Sequence, residues 1–279
     1  MSTDFLVELG TEELPPKALK KLSAAFSAGI IKGLKEQELE FCAVKSYATP
    51  RRLALVVEQL AEQTPVKEVI AWGPPAKIAF DTDGNPSKAA EAFARKNGLD
   101  INDLKTENDG KIDKLCHRAS AGGVNTAELL GAIVNASVKA LPIAKRMRWG
   151  DSRTEFVRPA HWLIMLLGNE VVDAEVLGIK SNRVTRGHRF HYNQDLIIDS
   201  PASYAEQLRA PGHIIADYAE RQAMVKDQVT AEAKNVGGIA VISQDLLDEV
   251  TALVEYPVAL TGKFEQRFLD VPAEALISS

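Results

Sequence analysis

Between positions 16 and 37 the apolar side chains Leu19, Leu22, Phe26, Ile30 and Leu34 recur at spacings of three and four. That period puts them on one stripe of a helix, with Lys17, Lys20, Lys21, Lys32, Lys35 and Glu36 on its other faces. Pro15-Pro16 opens it, because proline is tolerated in a first turn. Such a helix must lie on an apolar surface, and its flanks supply one. Residues 5–9 form a short β-forming run broken by Gly10-Thr11, and residues 41–47 and 52–60 read as two strands parted at Thr49-Pro50. The opening unit is therefore β-α-β-β, a small sheet with a helix on one face, and the fold class is α+β.

The remainder reads as small mixed or antiparallel sheets with packed helices. Residues 61–86 are poorly patterned, and Gly73-Pro74-Pro75 and residues 81–86 have loop chemistry. A short helix is expected over 87–96, stopped by Asn97-Gly98, then a hairpin over 106–118 turning at Asn108-Asp109-Gly110. A further helix is expected over 126–140. Strands are expected over 161–167, 171–179 and 183–192, then helices over 202–208, 217–235 and 244–254 and a short strand over 257–261. The last third is thus the more helical. Residues 271–277 resemble a helix start at which the chain stops, which suggests truncation. The change of character near Lys145 divides the chain into an α+β region, 1–144, and a basic β-rich segment followed by helices, 145–279. Because β-α-β-β units often take back a later strand, a discontinuous domain stays open.

With 279 residues, 46% hydrophobic and 25% charged, the chain is long enough to bury a large core without disulfides or metals. Cys42 and Cys116 form no CxxC pair and read as reduced thiols. The first residues lack a basic and apolar leader pattern, and the longest apolar run, 162–167, is too short to span a bilayer. A cytoplasmic protein without membrane contact is expected.

Charge is unevenly spread. Residues 145–189 hold nine cations (Lys145, Arg146, Arg148, Arg153, Arg158, Lys180, Arg183, Arg186, Arg189) against five carboxylates, a surplus of four in a chain of net charge -5. Seven of the nine are arginines, which fork onto phosphate and stack on bases. Trp149, Phe156, Trp162, Phe190 and Tyr192 are interleaved with them, the pairing by which proteins hold folded RNA and single strands. A solvated charged face over core aromatics is the alternative. Strand alternation over 183–192 would set Arg183, Arg189 and His191 on one side and Val184, Arg186, His188 and Phe190 on the other. If Val184 and Phe190 face a core, Arg186 and His188 are partly buried and need partners, and a structural salt bridge competes with RNA contact for Arg186.

Other patterns carry less. His188-x-x-His191 lacks the further ligands zinc needs, so no metal is expected. Asp81-x-Asp83-x-Asn85 imitates a calcium loop, but Pro86 and Ala92 stand where Gly and Glu are required. Glu12 and Glu13 sit before a helix, where acids favour its dipole. The chain contains no GxxxxGK[ST], GxGxxG or GxSxG, so no nucleotide cradle or nucleophile elbow is visible and no catalytic residue is assigned.

Six stretches, in order, resemble one known family. They are residues 5–15 (Phe-Leu-Val-Glu-Leu-Gly-Thr-Glu-Glu-Leu-Pro), residues 47–54 (Tyr-Ala-Thr-Pro-Arg-Arg-Leu-Ala), Met147-Arg148-Trp149-Gly150, Phe156-Val157-Arg158-Pro159, Arg186-Gly187-His188-Arg189-Phe190, and Val254-Glu255-Tyr256-Pro257-Val258 through residues 271–276. Together they are similar to the N-terminal part of the bacterial glycyl-tRNA synthetase beta subunit. The resemblance implies an assembly of two alpha and two beta subunits. It implies that ATP, with Mg, is used on the alpha subunit, and that the beta subunit supports charging of tRNA(Gly). It also implies continuation into an HD-type and an anticodon-binding domain. The family supplies no contact residues for this part, so charge alone nominates Arg146, Arg148, Arg153, Arg158, Arg183 and Arg189 for tRNA, with Arg186 and His188 beside them. Two rivals stand against tRNA contact. One is a module that only docks the alpha subunit. The other is an editing hydrolase, for which His188, His161 and Glu12 are the candidates.

Overall fold

The computed structural model describes residues 2–81, 84–272 and 274–275. The chain forms two compact units: residues 63–125 make one, and residues 1–62 with 126–279 the other. Position 145, where the sequence changes character, lies inside the larger unit.

In chain order the larger unit begins with β1 (Ser2–Thr11), α1 (Pro16–Glu36), β2 (Ala43–Thr49) and β3 (Arg52–Ala61). The smaller unit follows, with β4 (Lys67–Pro75), α2 (Ala76–Ala79), α3 (Lys88–Asn97), β5 (Lys105–Asn108) and β6 (Asp113–Ala121). The larger unit resumes with α4 (Thr126–Lys139) and a run of strands: β7 (Met147–Arg148), β8 (Glu155–Phe156), β9 (Ala160–Leu167), β10 (Glu170–Val171), β11 (Glu175–Val176), β12 (Ile179–Lys180), β13 (Val184–Arg186) and β14 (Asp195–Ile197). It closes with α5 (Tyr204–Arg209), α6 (Tyr218–Asn235) and α7 (Gln244–Leu253).

The larger unit is organised by an antiparallel sheet of order β10-β9-β1-β3-β2. The later strand that enters it is β9, which pairs with β1 from Phe5↔Leu167 to Gly10↔Trp162. Both faces of the sheet are covered, so β1 is buried from Phe5 to Thr11 and shows no polar alternation. On one face Phe5, Val7 and Leu9, with Leu53, Leu55, Leu163 and Met165, pack against the stripe of α1, whose Leu19, Leu22, Phe26, Ile30 and Leu34 are all buried as the spacing predicts. The helix α4 lies on α1 there. A Cβ at Gly33 would come within 2.6 Å of Ile133, and one at Gly29 within 2.4 Å of Ser137, so these two glycines let the helices approach. The opposite face shows Leu6, Ala54, Val56, Ile164 and Leu166 to Leu196, Ile198, Tyr204, Leu208 and Ile214.

The smaller unit is a three-stranded antiparallel sheet, β4-β6-β5, with Ala79, Ala90, Phe93 and Leu115 as its core. Ser87 Oγ accepts from Ala90 N at 3.3 Å to start α3, and Gly98, at φ +65°, ends it. The expected hairpin is β5–β6. At its turn the amides of Lys111 and Ile112 donate to Asp109. Lys114 and those amides hold the Asp109 carboxyl down at about 2. Asp81 accepts from Asn85 N at 2.7 Å as a turn before α3, and Asp83 of the calcium-like pattern lies outside the described residues.

Several expectations need correcting. Residues 67–75, read as unpatterned, are the strand β4; its side chains are exposed or half-buried throughout, so no alternation betrays it. The expected strand over 171–179 is broken into β10 and β11, and that over 183–192 shrinks to β13 before the chain turns at Gly187, where Tyr192 O would lie 2.3 Å from a Cβ. Residues 257–261 form no strand. Of the helix expected over 271–277, residues 273, 276 and 277 lie outside the described residues, and 274–275 are helical.

One position ties the sheet to what lies above it. Gly10 sits between Arg52 and Trp162 on the two neighbouring strands. A Cβ there would lie 1.8 Å from Trp162 Cε2. Gly10→Ala is therefore expected to destabilise the fold by at least about 1–3 kcal/mol, measured by urea denaturation. A loss below about 0.5 kcal/mol, typical of an unconstrained surface site, would mean that Trp162 swings aside freely.

Candidate functional site

On the second face of the sheet, a charge stands in the middle of apolar β1. Glu8 is fully buried. Trp162 Nε1 and Thr185 Oγ1 donate to its Oε1, and the Tyr204 hydroxyl donates to its Oε2. Arg52 Nε lies 3.6 Å from the same Oε2. Arg52, also buried, reaches on with Nη1 to Glu255 and with Nη2 to the carbonyl of Arg186. Thr49 Oγ1 donates to Glu255 Oε1 at 2.8 Å. Burial acts to lower the pKa of Arg52, but Glu255 and Glu8 outweigh it and raise that pKa. Burial first, and then the negative charge of Glu8, push the Tyr204 phenol well above its ordinary range.

A second buried arginine stitches the helices onto this layer. Arg221 of α6 donates to the carbonyls of Ile215, at 2.5 Å, of Ala48, at 2.7 Å, and of Thr251, at 3.1 Å. Burial pulls its pKa down to about 10.

Above this network lies an exposed rim. Glu12 accepts from Arg189 Nη2 at 2.9 Å and meets His161 Nε2 at 3.0 Å. Arg189 Nη1 reaches Glu13 at 3.5 Å, and Arg158 Nε donates to the Glu13 carbonyl at 3.0 Å. Burial raises the Glu12 pKa, but Arg189 and His161 more than offset it and hold the carboxyl below its usual range. The two acids thus pair across the rim, in place of the helix-dipole role read from sequence; no acid stands in the first turn of α1.

Two clefts open here. One, of about 380 Å³, is walled by Glu12, Arg51, His161, Trp162 and Arg186 among others. The other, of about 170 Å³, is walled by Pro50, Arg51, His188, Arg189, Phe190 and Tyr256 among others. Beside the second, the rings of His188 and His191 stand 4.5 Å apart, those of His191 and His213 5.9 Å, and those of His213 and Tyr256 5.6 Å. His188 Nδ1 accepts from the amides of Phe190 and His191, both at 3.2 Å, so its proton sits on Nε2. Burial lowers its pKa, and the positive fields of His191, His213 and Arg52 add to this against that of Glu255. Among the described residues no group of His, Cys, Asp and Glu is arranged to hold a metal, and no helix is long and apolar enough to cross a membrane. Cys42 and Cys116 are both free thiols, Cys42 exposed and Cys116 buried.

The arginines chosen by charge fall into two groups. Arg158, Arg186, His188 and Arg189 gather at the rim and clefts. Arg146, Arg148 and Arg153 are exposed around the β7–β8 pair, where Arg148 meets Glu155 at 2.7 Å and Arg146 donates to the carbonyl of Lys139 at 3.2 Å. Arg183 stands apart and donates to the carbonyl of Asn169. The alternation expected for 183–192 is not met. Thr185 is the buried residue, Arg186 is exposed and paired with Asp195 at 3.2 Å, and Phe190 is 84% exposed. Charge counting passed over Glu8, Thr49, Arg51, Arg52, Trp162, Tyr204, Arg221 and Glu255. The signal that could have found the first of these is a lone acid inside Phe5-Leu6-Val7-Glu8-Leu9, and two arginines heading the apolar strand β3.

Residues 5–279 match the sequence profile of the family described as "Glycyl-tRNA synthetase beta subunit". The chain belongs to that family. It is 54% identical over 277 residues to a glycine–tRNA ligase beta subunit of Marinobacter nauticus. It is 53% identical over 276 residues to that of Ectopseudomonas mendocina, and 51% identical over 276 residues to that of Pseudomonas aeruginosa. Each alignment covers 99% of this chain and 40% of the relative, so the chain spans about two-fifths of the length of the curated relatives it matches. The stretches that carry the resemblance meet in space. Glu8, Thr49, Arg52 and Glu255 share the buried network; the backbone of Arg186 closes it; Pro159 and Arg158 bind the backbones of Glu12 and Glu13.

Two outcomes follow from this geometry. Arg52→Met leaves Glu8 and Glu255 buried without their shared cation, at an expected cost of about 3–5 kcal/mol. Tyr204→Phe removes one donor to a charged acceptor and is expected to cost about 1.5–3 kcal/mol. Chemical denaturation reads both, and equal effects would contradict the central place given to Arg52. The second outcome concerns His188, which protonates near 6.5 when unfolded and only at lower pH in the fold. Between those values the unfolded state holds more protons, so stability is full above the window and falls as pH drops through it. His188→Asn keeps an acceptor for the Phe190 and His191 amides. It should show a flatter decline in denaturation midpoint from about pH 7 to about pH 5 than the parent chain.

Proposed function

We propose that this chain acts as the N-terminal part of the beta subunit of a glycine–tRNA ligase, supporting the attachment of glycine to tRNA(Gly) by holding tRNA. In this reading ATP, with Mg, is used on the alpha subunit of an assembly of two alpha and two beta chains, and these residues contribute binding and not chemistry. The observation that carries the tRNA contact is the exposed segment 145–153. It presents Lys145, Arg146, Arg148 and Arg153 to solvent, with the half-buried Trp149 packed on the main core. Lys145 and Arg153 meet no carboxylate among the described residues. Exposed, unpaired cations on a fixed segment suit phosphates, whose condensed counterions they displace. Arg148 is paired with Glu155 and Arg146 serves carbonyls, as Arg158, Arg183, Arg186 and Arg189 serve carbonyls or carboxylates, so these six rank behind Lys145 and Arg153 for RNA contact, and His188 ranks with them.

A second reading, docking of the alpha subunit without tRNA contact, draws support from different residues. Ile239, Val241, Leu260 and Phe264 are large apolar side chains with 92%, 95%, 87% and 70% of their surface exposed. Large apolar side chains bared to this extent suit a protein partner. An editing hydrolase has less support, because His161 and Glu12 are engaged with each other and with Arg189 at an exposed rim.

In the full assembly, reversing both Lys145 and Arg153 to Glu is expected to weaken tRNA(Gly) binding at least tenfold and to flatten the dependence of log affinity on log salt. Filter binding across a salt series measures it. Unchanged affinity and slope, together with capture of the alpha subunit after ribonuclease treatment, would transfer the function to docking.

A further inference from the structure

Arg51 and Arg52 are neighbours in sequence, and the fold treats them in opposite ways. Arg52 has two carboxylates and a carbonyl. Arg51 is 9% exposed, yet its guanidinium makes no hydrogen bond and no ion pair among the described residues, and its Nε is shut off from solvent. The Trp162 ring lies 5.4 Å from its Cζ. Burial lowers its pKa; Glu255 opposes this, and the cations Arg52 and Arg189 reinforce it. A guanidinium that keeps contact with solvent only at the cleft wall and is given no acceptor is costly to keep. Folded chains seldom hold one unless something outside the chain completes it.

The surroundings say what completes it. Arg51 lines the cleft of Pro50, His188, Arg189, Phe190 and Tyr256. Two carboxylates also border that cleft, and both are engaged: Glu13 with Arg189, and Glu255 with Arg52 and Thr49. With Nδ1 of His188 accepting two amides, Nε2–H is its remaining donor, and that donor has no partner among the described residues. The ring of Phe190 stands almost fully in solvent beside these donors.

We propose that this cleft is a phosphate-binding site, in which Arg51 supplies a guanidinium fork, His188 a neutral N–H donor, and Phe190 a surface for the flat group attached to the phosphate. A phosphate group presents three strong acceptor oxygens, enough for a guanidinium fork and a further donor together. An aromatic face next to an arginine adds stacking for a base. The ligand is thus a nucleoside phosphate, either a free nucleotide or one unit of an RNA strand. The site shares no residue with the 145–153 surface and stands independently of it.

The test uses the full-length beta chain without alpha, so that no adenylate site is present. Calorimetric titration with adenosine 5′-monophosphate and with inorganic phosphate is compared for the parent chain, Arg51→Met and Phe190→Ala. The parent binds both. Arg51→Met loses at least tenfold in affinity for each, with an unchanged or higher thermal midpoint, because an uncompensated buried charge is gone. Phe190→Ala, at an exposed position, loses several-fold for the nucleotide and nothing for inorganic phosphate. Titration with tRNA separates the sources. If RNA supplies the phosphate, Arg51→Met also weakens tRNA binding and inorganic phosphate competes with tRNA. If a free nucleotide does, tRNA binding is unmoved while nucleotide binding is lost. A parent chain that binds none of these probes overturns the proposal. So does an Arg51→Met variant that binds as the parent does with a lowered midpoint, which would make Arg51 a structural residue.

Discussion

A carboxylate placed at the centre of a sheet has to be answered from several directions at once, and Glu8 organises the larger unit around that demand. Its four partners come from β3, β9, β13 and α5. No single local contact could supply them, so satisfying one buried charge fixes the positions of four segments far apart in sequence. Arg52 extends the requirement to Glu255 and to the end of β13. Replacing such a network with apolar residues is often neutral or favourable for stability. Its value here lies in register: only one alignment of β1 puts Glu8 under Tyr204 and Gly10 under the Trp162 indole.

The same network gives the rim its rigidity. Trp162 is pinned by its N–H to Glu8 and by the missing side chain of Gly10, and both Arg51 and Arg52 lie near its ring, at 5.4 and 5.3 Å. Glu12 and Glu13 leave β1 directly above, and Arg189 and Arg158 bind them. Buried pairing below and exposed pairing above thus form one column. The exposed pairs add little to stability on their own; their effect is to hold the walls of the clefts in place.

How much of this was legible in the sequence depended on whether the signal was local. The stripe of α1 was, because its period is written into consecutive residues and all five predicted positions are buried. The cap of α3 and the Asn108–Gly110 turn were, because side chains there bond to their own backbone. The strand β4 was not, since none of its own side chains is fully buried. The strand after Arg183 was overextended, because apolar and basic residues alternate there while the chain turns at Gly187 under Tyr192, a contact no period encodes. Counting charge found the arginines of 145–189 but ranked them by sign alone. The buried residues Glu8, Arg51 and Arg52 came from the recognised stretches without a role, since pairing over 177 or 203 positions leaves no local trace.

The placement of β9 beside β1 also sets an order of events during synthesis. The inner edge of β1 that β9 will cover stays open until Ala160–Leu167 has been made. At about 5–20 residues per second that is a wait on the order of ten seconds. Thr185, Tyr204 and Glu255 emerge later still. Throughout that interval Glu8 is a hydrated negative charge in the middle of an otherwise apolar nascent strand. The residue that locks the finished sheet is thus, in the unfinished chain, a gatekeeper that interrupts an apolar strand with its edge still open.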